Sequence, residues 1–300
     1  MADSSFGPLR IWDGARPAAM RGTGTAGFDL CDDELISLHP LAERLAALEI
    51  LRAPLSDPDG PDPLSLQWYL SIEQVRHNRQ GRWFSSLLEF GKHHGDRLLG
   101  LGVGLGSDLV QYARHGAEVV AACSSADQLA LVRRNFALRS LPATFLHASP
   151  TKLPLESASI DVAVLTGLLH EGTDVVALLE EVYRVLKPGG KALAVVPAHY
   201  DITYWASLCG LWADGSEHAV PAGGVSLLST AARRFRRADL RHLFHRFHEI
   251  RVWKRHLRRA EVPHLWRWLP LGLLERLVGR LLVLRGFKPV SAARIEQAAA

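Results

Sequence analysis

Residues 98–106 read LLGLGVGLG, and they lie where an apolar strand passes into a helix that begins near Ser107. Gly102, Gly104 and Gly106 allow tight backbone turns and leave no Cβ atom in the way of a ligand. The first turn of the following helix has N–H groups without intrahelical partners, and such groups favour anionic ligands. The stretch predicts a loop that holds a nucleotide-type cofactor, with a purely structural turn as the alternative.

Short apolar stretches alternate with amphipathic ones on both sides of this loop. The predicted strands are residues 97–102, 117–123, 143–148, 159–167, 191–198, 249–257 and 279–289. Helical patterns separate most of them, and this alternation is typical of a parallel sheet covered on both faces. We therefore expect an α/β fold with a doubly wound, mostly parallel, Rossmann-like sheet. A helical N-terminal lid and a C-terminal helical insertion complete the predicted architecture.

The composition divides the chain into three parts. Residues 1–60 contain glycine and proline clusters around one helical stretch, residues 38–52. We interpret them as a variable, partly disordered N-terminal extension. The predicted domain comprises residues 61–290, and residues 291–300 form a tail.

The 300 residues carry a net charge of +4, and the basic residues are concentrated in one region. Residues 231–260 contain eleven arginines and lysines and only two acids, Asp239 and Glu249. This asymmetry indicates an anionic partner at residues 233–259, or else a solvated helix face. No motif typical of nucleic-acid binding occurs, so nucleic acid is not expected as that partner.

Other site types find little support in the sequence. The three cysteines lie far apart and predict neither disulfides nor a metal site. His242, His245 and His248 drift around a helix at their spacing of three, so no metal is expected there either.

The chain has no apolar run of 18 residues and its first residues lack the apolar core of a signal peptide. We therefore expect no transmembrane segment and a cytoplasmic location. Residues 265–285 mix Trp, Leu and Arg. They lie at a membrane surface, or they pack on the sheet as a helix and a last strand.

Two further motifs suggest a family. The segment KLPLESASIDVAVL at residues 152–165 precedes a helix that ends in LKPGG, Leu186–Gly190. In this order, after the glycine loop, they resemble the class I S-adenosylmethionine-dependent methyltransferases, especially the small-molecule branch. The resemblance covers residues 65–200 well and extends loosely to about residue 289. It implies S-adenosylmethionine as cofactor and a small-molecule methyl acceptor.

The resemblance also implies a set of cofactor-binding residues. In the family the glycine loop contacts the methionine part of the cofactor, and the second strand ends near the ribose. The residues that this assigns here are Gly102, Gly104, Gly106, Asp108, Cys123, Ser124, Ser149 and Leu169. Trp68 and Tyr69 resemble aromatic residues that cover the pocket in related enzymes, with packing inside the helix layer as the alternative.

Three positions depart from the family pattern. Gly100, Cys123 and Ser149 stand where the family usually has acids that hold the cofactor. A hydrogen bond to a charged group contributes about 1.5–3 kcal/mol, so the loss of three would abolish useful binding unless other groups compensate. Either nearby groups such as Ser107, Asp108 and Ser124 replace the acids, or the chain is a catalytically silent relative that acts as a binding or regulatory partner.

Residues that follow the fourth and fifth strands are the candidates for chemistry, because ligands of open α/β sheets bind at the carboxyl ends of the strands. His170, His199 and Tyr200 lie there, and histidine suits a general base. Each is otherwise a polar rim residue. A dinucleotide oxidoreductase is a third hypothesis, against which the missing last glycine of the loop and the LKPGG turn both count.

Overall fold

The computed structural model describes residues 32–50, 60–80, 82–166, 174–208 and 234–290. The helices of these ranges are α1 (Asp32–Ile50), α2 (Leu66–Glu73), α3 (Arg82–Leu87), α4 (Ser107–Arg114), α5 (Ala126–Ala137), α6 (Val175–Val185), α7 (Ile202–Leu208), α8 (Arg237–Leu243) and α9 (Leu271–Val278). The strands are β1 (Arg97–Leu101), β2 (Glu118–Cys123), β3 (Thr144–His147), β4 (Ile160–Thr166), β5 (Leu186–Pro197), β6 (His248–Arg255) and β7 (Leu281–Phe287). A π-helical segment, Gln74–Gln80, continues α2.

The strands form one sheet in the order β3-β2-β1-β4-β5-β7-β6. The first five strands are parallel, and β7 runs antiparallel to both β5 and β6. The predicted doubly wound, mostly parallel sheet is confirmed. The reversed strand between β5 and β6 is absent from the usual dinucleotide-binding order 3-2-1-4-5-6, so the topology counts against the oxidoreductase hypothesis.

Both faces of the sheet are buried, which explains why the strands read as nearly continuous apolar runs. In β1, Leu99 packs with α6 residues on one face, and Leu98 packs with Leu109 and Tyr112 of α4 on the other. Because β1, β2, β4 and β5 are parallel, their carboxyl ends lie at one edge of the sheet, where the glycine loop also lies.

The helix α1 packs on the domain, although it lies within the stretch that the sequence sets apart as an extension. Ala42 and Ala46 of α1 share an apolar cluster with Tyr69 of α2 and Leu131 of α5. The hydroxyl of Tyr69 donates to the carbonyl oxygen of Leu131 at 3.0 Å. Tyr69 thus packs inside the helix layer, which was the alternative to covering the pocket.

The C-terminal elements complete the sheet. The strand β6 forms its outer edge, and α9 packs there with Leu274 and Val278 against Ile202 and Val262. Residues 265–285 therefore contain a helix and the last strand, as one of the two sequence interpretations predicts.

Candidate functional site

The glycine loop at the end of β1 depends on backbone conformations that suit glycine. Gly102, Gly104 and Gly106 have φ angles of 69°, 54° and 83°, in the left-handed region. Gly106 also lies so close to α5 that a Cβ atom would approach the Val132 side chain to 2.9 Å. The loop consequently delivers its N–H groups and the start of α4 to the carboxyl edge of the sheet.

A carboxylate from α1 lies in this loop. Glu49 Oε1 accepts a hydrogen bond from the Leu105 N–H at 2.6 Å, and Glu49 Oε2 accepts one from the Ser107 hydroxyl at 2.5 Å. A Cβ atom on Gly104 would lie only 2.4 Å from Glu49 Oε1, so the missing side chain makes room for the carboxylate. The loop therefore binds a carboxylate group with one backbone donor and one side-chain donor.

The electrostatic surroundings of Glu49 are unfavourable to its charge. Burial raises the pKa of Glu49 above its ordinary value, and Asp108 adds to the rise, while Arg76 opposes it. The guanidinium of Arg76 donates to the Glu49 main-chain carbonyl oxygen at 2.6 Å rather than to its carboxylate. The Glu49 carboxylate is thus held mainly by the loop.

Asp108, at the start of α4, is occupied by other partners. Arg76 donates to both of its carboxylate oxygens, at 2.8 and 2.6 Å, and a ring nitrogen of His77 lies 2.9 Å from one of them. Burial alone would raise the pKa of Asp108, but the charge and hydrogen bonds of Arg76 hold it well below the ordinary value. In this structure Asp108 anchors the π-helical segment to α4, and a role in cofactor binding stays a prediction.

The position of Gly100 explains one of the departures from the family pattern. A Cβ atom there would lie 2.5 Å from a methyl group of Leu109. An acidic side chain would have to displace Leu109 from its place between α4 and the sheet. Glycine at this position therefore permits the close packing of α4 on β1.

The end of β2 presents sulfur and amide groups where the family usually has an acid. Cys123 Sγ lies 3.0 Å from Gln128 Oε1, and the Gln128 amide donates to the Gly104 carbonyl oxygen at 3.1 Å. Ser124 and Ser149 are exposed nearby in the fold's connecting loops, and the Ser149 hydroxyl is 2.9 Å from that of Thr151. Gln128 thus ties the end of β2 to the glycine loop.

Aromatic rings cluster after β5. The ring of Tyr200 lies 4.7 Å from His199 and 4.9 Å from Tyr204, which in turn contacts Trp205 at 5.5 Å, all in edge-on arrangements. The Arg236 guanidinium lies 5.1 Å from the centre of the Tyr200 ring. His199 and Tyr200, which are consecutive in the chain, thus lie in an aromatic cluster at the carboxyl edge, and their role in catalysis stays a prediction. Leu169 and His170 lie outside the described residues.

Lys254 of β6 is hydrogen-bonded to this segment. Its ammonium donates to the carbonyl oxygens of Tyr200 and Leu277. Burial, with a contribution from Arg237, lowers the pKa of Lys254 to about 8. The lysine thereby links the aromatic cluster to α9.

Comparison with known proteins agrees with this architecture. Residues 99–194, from β1 into β5, match the methyltransferase domain family. The matched region is about a third of the chain, and it is similar to that family. The sequence resemblance and the predicted fold are thereby confirmed.

Curated proteins that the chain resembles are named demethylmenaquinone methyltransferases. The protein of Clavibacter sepedonicus is 37% identical over 97 residues, which are 32% of this chain and 39% of that protein. The protein of Streptomyces avermitilis is 26% identical over 194 residues, which are 65% of this chain and 77% of that protein. The chain spans less than half the length of the first relatives it matches.

Solved structures show the same fold at low sequence identity. The [4+2]-cyclase SpnF is 18% identical, with a TM-score of 0.53 that covers 86% of this chain and 94% of that one. A Haloferax volcanii complex of the Trm112 methyltransferase activator with a methyltransferase matches at 18% identity and a TM-score of 0.51, covering 75% of this chain and 97% of that chain. A cyclase among these neighbours illustrates that the fold alone does not define the reaction.

Two residues of the candidate site escaped the sequence analysis. Gln128 lies in the first turn of α5, and its proximity to the end of β2 is a signal that the sequence does contain. Glu49 precedes the loop by more than fifty residues, and only the packing of α1 brings it there. No sequence pattern marks that contact.

Proposed function

We propose that this chain transfers a methyl group from S-adenosylmethionine to a small, planar acceptor bound beside His199 and Tyr200. The observation that carries the proposal is the carboxylate held by the Leu105 N–H and the Ser107 hydroxyl. A loop that binds the Glu49 carboxylate has the donors that the amino-acid carboxylate of the cofactor requires. The methyltransferase domain match and the strand order support the same reading.

The remaining contacts of the cofactor are proposed from the same edge of the sheet. Gln128, Ser124 and Ser149 supply uncharged polar groups near the end of β2, where the ribose and adenine would lie. When bound, S-adenosylmethionine supplies a methyl group activated on a sulfonium. The chain contributes positioning, which is the main requirement of such an in-line displacement.

The aromatic cluster after β5 favours a ring-shaped acceptor. Rings such as Tyr200 and Trp205 stack on or meet the edge of planar compounds with favourable geometry. The name demethylmenaquinone methyltransferase, carried by the relatives, supports a quinone-like or phenolic compound as the acceptor class. The acceptor atom gains the methyl group and loses a proton, and in this proposal the His199 imidazole accepts that proton.

Calorimetric titration with S-adenosylmethionine and S-adenosylhomocysteine tests the proposal. We expect binding of both, weakened about tenfold or more by Gly104→Val, because a side chain there fills the carboxylate position. Gly272→Val is the matched control, since nothing lies within 4 Å of a Cβ atom at that position. Equal affinities of both variants and the unchanged protein would place the ligand elsewhere.

The contact of Glu49 with the loop favours a second candidate, a catalytically silent protein with a closed cofactor loop. In that case neither ligand produces heat, even at millimolar concentration, and removal of the Glu49 carboxylate does not restore binding. The same titration of Glu49→Ala thus separates a permanently silent domain from an enzyme whose loop is covered by α1.

A further inference from the structure

The surface of α9 and the segment before it combines exposed apolar side chains with arginines. Trp268 is 79% exposed, Leu273 49% and Leu277 60%. Leu274 and Val278, which lie about 100° further around the same helix, are buried against the domain. The helix therefore uses one apolar side for packing and leaves a second apolar side in contact with water, where it stabilises nothing in the described fold.

Arginines lie in and beside the same segment. Arg259 donates to the Leu269 carbonyl oxygen at 2.7 Å, Arg267 donates to that of Val262 at 3.0 Å, and Arg237 of α8 reaches that of Arg276 at 3.3 Å. We call these four arginines together with Trp268, Leu273 and Leu277 the α9 surface. These three contacts tie the guanidinium groups of Arg237, Arg259 and Arg267 to backbone carbonyl oxygens and leave their charge in place.

The acids of this region are directed elsewhere. Glu261 pairs with Arg258 and Arg280, and its side chain is only 9% exposed. Glu275 accepts a hydrogen bond from the His256 N–H at 2.8 Å. The α9 surface is consequently positive, and the exposed Arg241 of α8 and Arg246 of the turn after α8 extend the positive charge.

We propose that the α9 surface binds peripherally to membranes that contain anionic phospholipids. An apolar ridge set among basic residues is the pattern of a helix that lies in the headgroup region. Arginines attract anionic headgroups, and tryptophan prefers the boundary between headgroups and acyl chains. The proposed contact is peripheral, with α9 lying on the membrane surface. None of the described helices is long and apolar enough to cross a bilayer.

Two other partners are compared with a membrane at the α9 surface. A nucleic acid would use the arginines but would leave Trp268, Leu273 and Leu277 without a function. A protein partner would use both the tryptophan and the arginines, because both are enriched at protein interfaces, and a size-exclusion run tests that case. In this proposal the anionic partner predicted at residues 233–259 is a membrane with anionic phospholipids, and the surface that binds it extends to α9.

The location of the α9 surface connects it with the candidate acceptor site. Lys254 joins the carbonyl oxygen of Leu277 to that of Tyr200, so α9 borders directly on the aromatic cluster. A membrane at this surface would lie beside the segment that carries His199. An apolar acceptor dissolved in the membrane would therefore have a short path to that segment.

Sedimentation with vesicles tests the proposal independently of any methyl transfer. We expect the full chain to bind vesicles that contain one-third phosphatidylglycerol and to bind pure phosphatidylcholine at least about tenfold more weakly. Binding should weaken in about 0.5 M salt, because the arginine contribution is screened. Equal binding to both kinds of vesicle, or binding to neither, overturns the proposal.

Substitutions locate the contact. The triple variant Trp268→Ser, Leu273→Ser, Leu277→Ser and the triple variant Arg237→Gln, Arg259→Gln, Arg276→Gln should each lower binding about tenfold or more. The control variant Leu138→Ser, Val176→Ser removes an exposed apolar residue at the end of α5 and another in α6, and it should bind like the unchanged protein. Circular dichroism melts verify that each variant is folded. If the control loses binding equally, the α9 surface is not the site.

A duplex oligonucleotide and a size-exclusion run complete the test. If the arginine variant loses oligonucleotide binding while neither variant affects vesicle binding, the surface is a nucleic-acid site and the proposal is wrong. If the serine variant instead converts an oligomer into a monomer without changing vesicle binding, the exposed side chains form a subunit contact and the proposal is wrong as well.

Discussion

Glu49 is the residue on which access to the glycine loop depends. Its carboxylate accepts hydrogen bonds from the Leu105 N–H and the Ser107 hydroxyl. A second carboxylate cannot use the same donors at the same time. We expect Glu49→Ala to bind S-adenosylmethionine about tenfold more tightly than the unchanged protein, because the competing group and its charge are gone. Isothermal titration at pH 7 measures the change. Weaker binding by this variant would mean that Glu49 holds the cofactor instead of excluding it.

The pH dependence of binding gives an independent check on Glu49. Burial raises the pKa of this carboxyl, so it becomes neutral at a higher pH than an exposed glutamate does. A neutral carboxyl is a weaker acceptor than a carboxylate, and the cofactor carboxylate stays ionised over the same range. Affinity should therefore rise as the pH is lowered towards the pKa of Glu49. The matched variant Glu49→Gln carries no titrating group, and its affinity should show no such rise.

At the scale of elements, the Arg76–Asp108 pair joins the π-helical segment to α4. Both side chains are nearly buried, with exposed fractions of 11% and 8%. Asp108→Asn leaves the guanidinium without its charged partner, and we expect the free energy of unfolding to fall by about 3 kcal/mol. Urea denaturation at pH 7 measures this loss. Asp174→Asn is the control, because asparagine caps a helix about as well as aspartate does.

The same variant decides between two roles of Asp108. If the residue acts only as an anchor, Asp108→Asn lowers stability while the dissociation constant for the cofactor in the folded protein stays within about twofold. A large loss of affinity in a protein that remains folded would instead support the cofactor contact that the sequence predicts.

The elements differ in how far the sequence predicts them. All seven strands and the glycine loop were predicted because they combine local signals: apolar runs, glycine turns and the LKPGG stop. The position of α1 was not, because the contacts of Ala42 and Glu49 join segments far apart in the chain and follow no periodicity. Gly100 is a second example. The close packing of Leu109 on β1 requires a residue without a side chain there, and no sequence pattern distinguishes this requirement from the loss of a cofactor-binding acid.

At the scale of the whole molecule, the edge of the sheet opposite the glycine loop is held together by Glu89. This buried carboxylate accepts hydrogen bonds from Lys191 of β5 at 2.5 Å, from Arg285 of β7 at 2.9 Å and from Lys92 at 3.1 Å. Burial alone would raise the pKa of Glu89, but the hydrogen bonds and charges of Lys191 and Lys92 lower it to about 2. A single side chain thus joins the helical layer to two strands of the sheet.

The lowered pKa fixes the direction of a pH effect on stability. Glu89 has a lower pKa in the folded chain than in the unfolded chain, so its ionised form favours folding. The contribution is fully present above about pH 4.5 and is lost as the pH falls towards 2. We expect Glu89→Gln to lower the free energy of unfolding by about 3 kcal/mol at pH 7, since it leaves the partly buried Lys191 and Arg285 without their charged partner. The difference from the unchanged protein should shrink steadily in acid.

Urea denaturation series at pH 7 and at about pH 3.5 measure this difference, with Glu156→Gln as the control because Glu156 is exposed and lies in a turn before β4. The control substitution should lower the free energy of unfolding by less than about 0.5 kcal/mol at either pH. Glu89 lies far along the strands from the glycine loop, so its replacement should leave cofactor affinity in the folded protein unchanged. A loss of stability that is equal at both pH values would show that the ionised Glu89 is not what holds this edge of the sheet together.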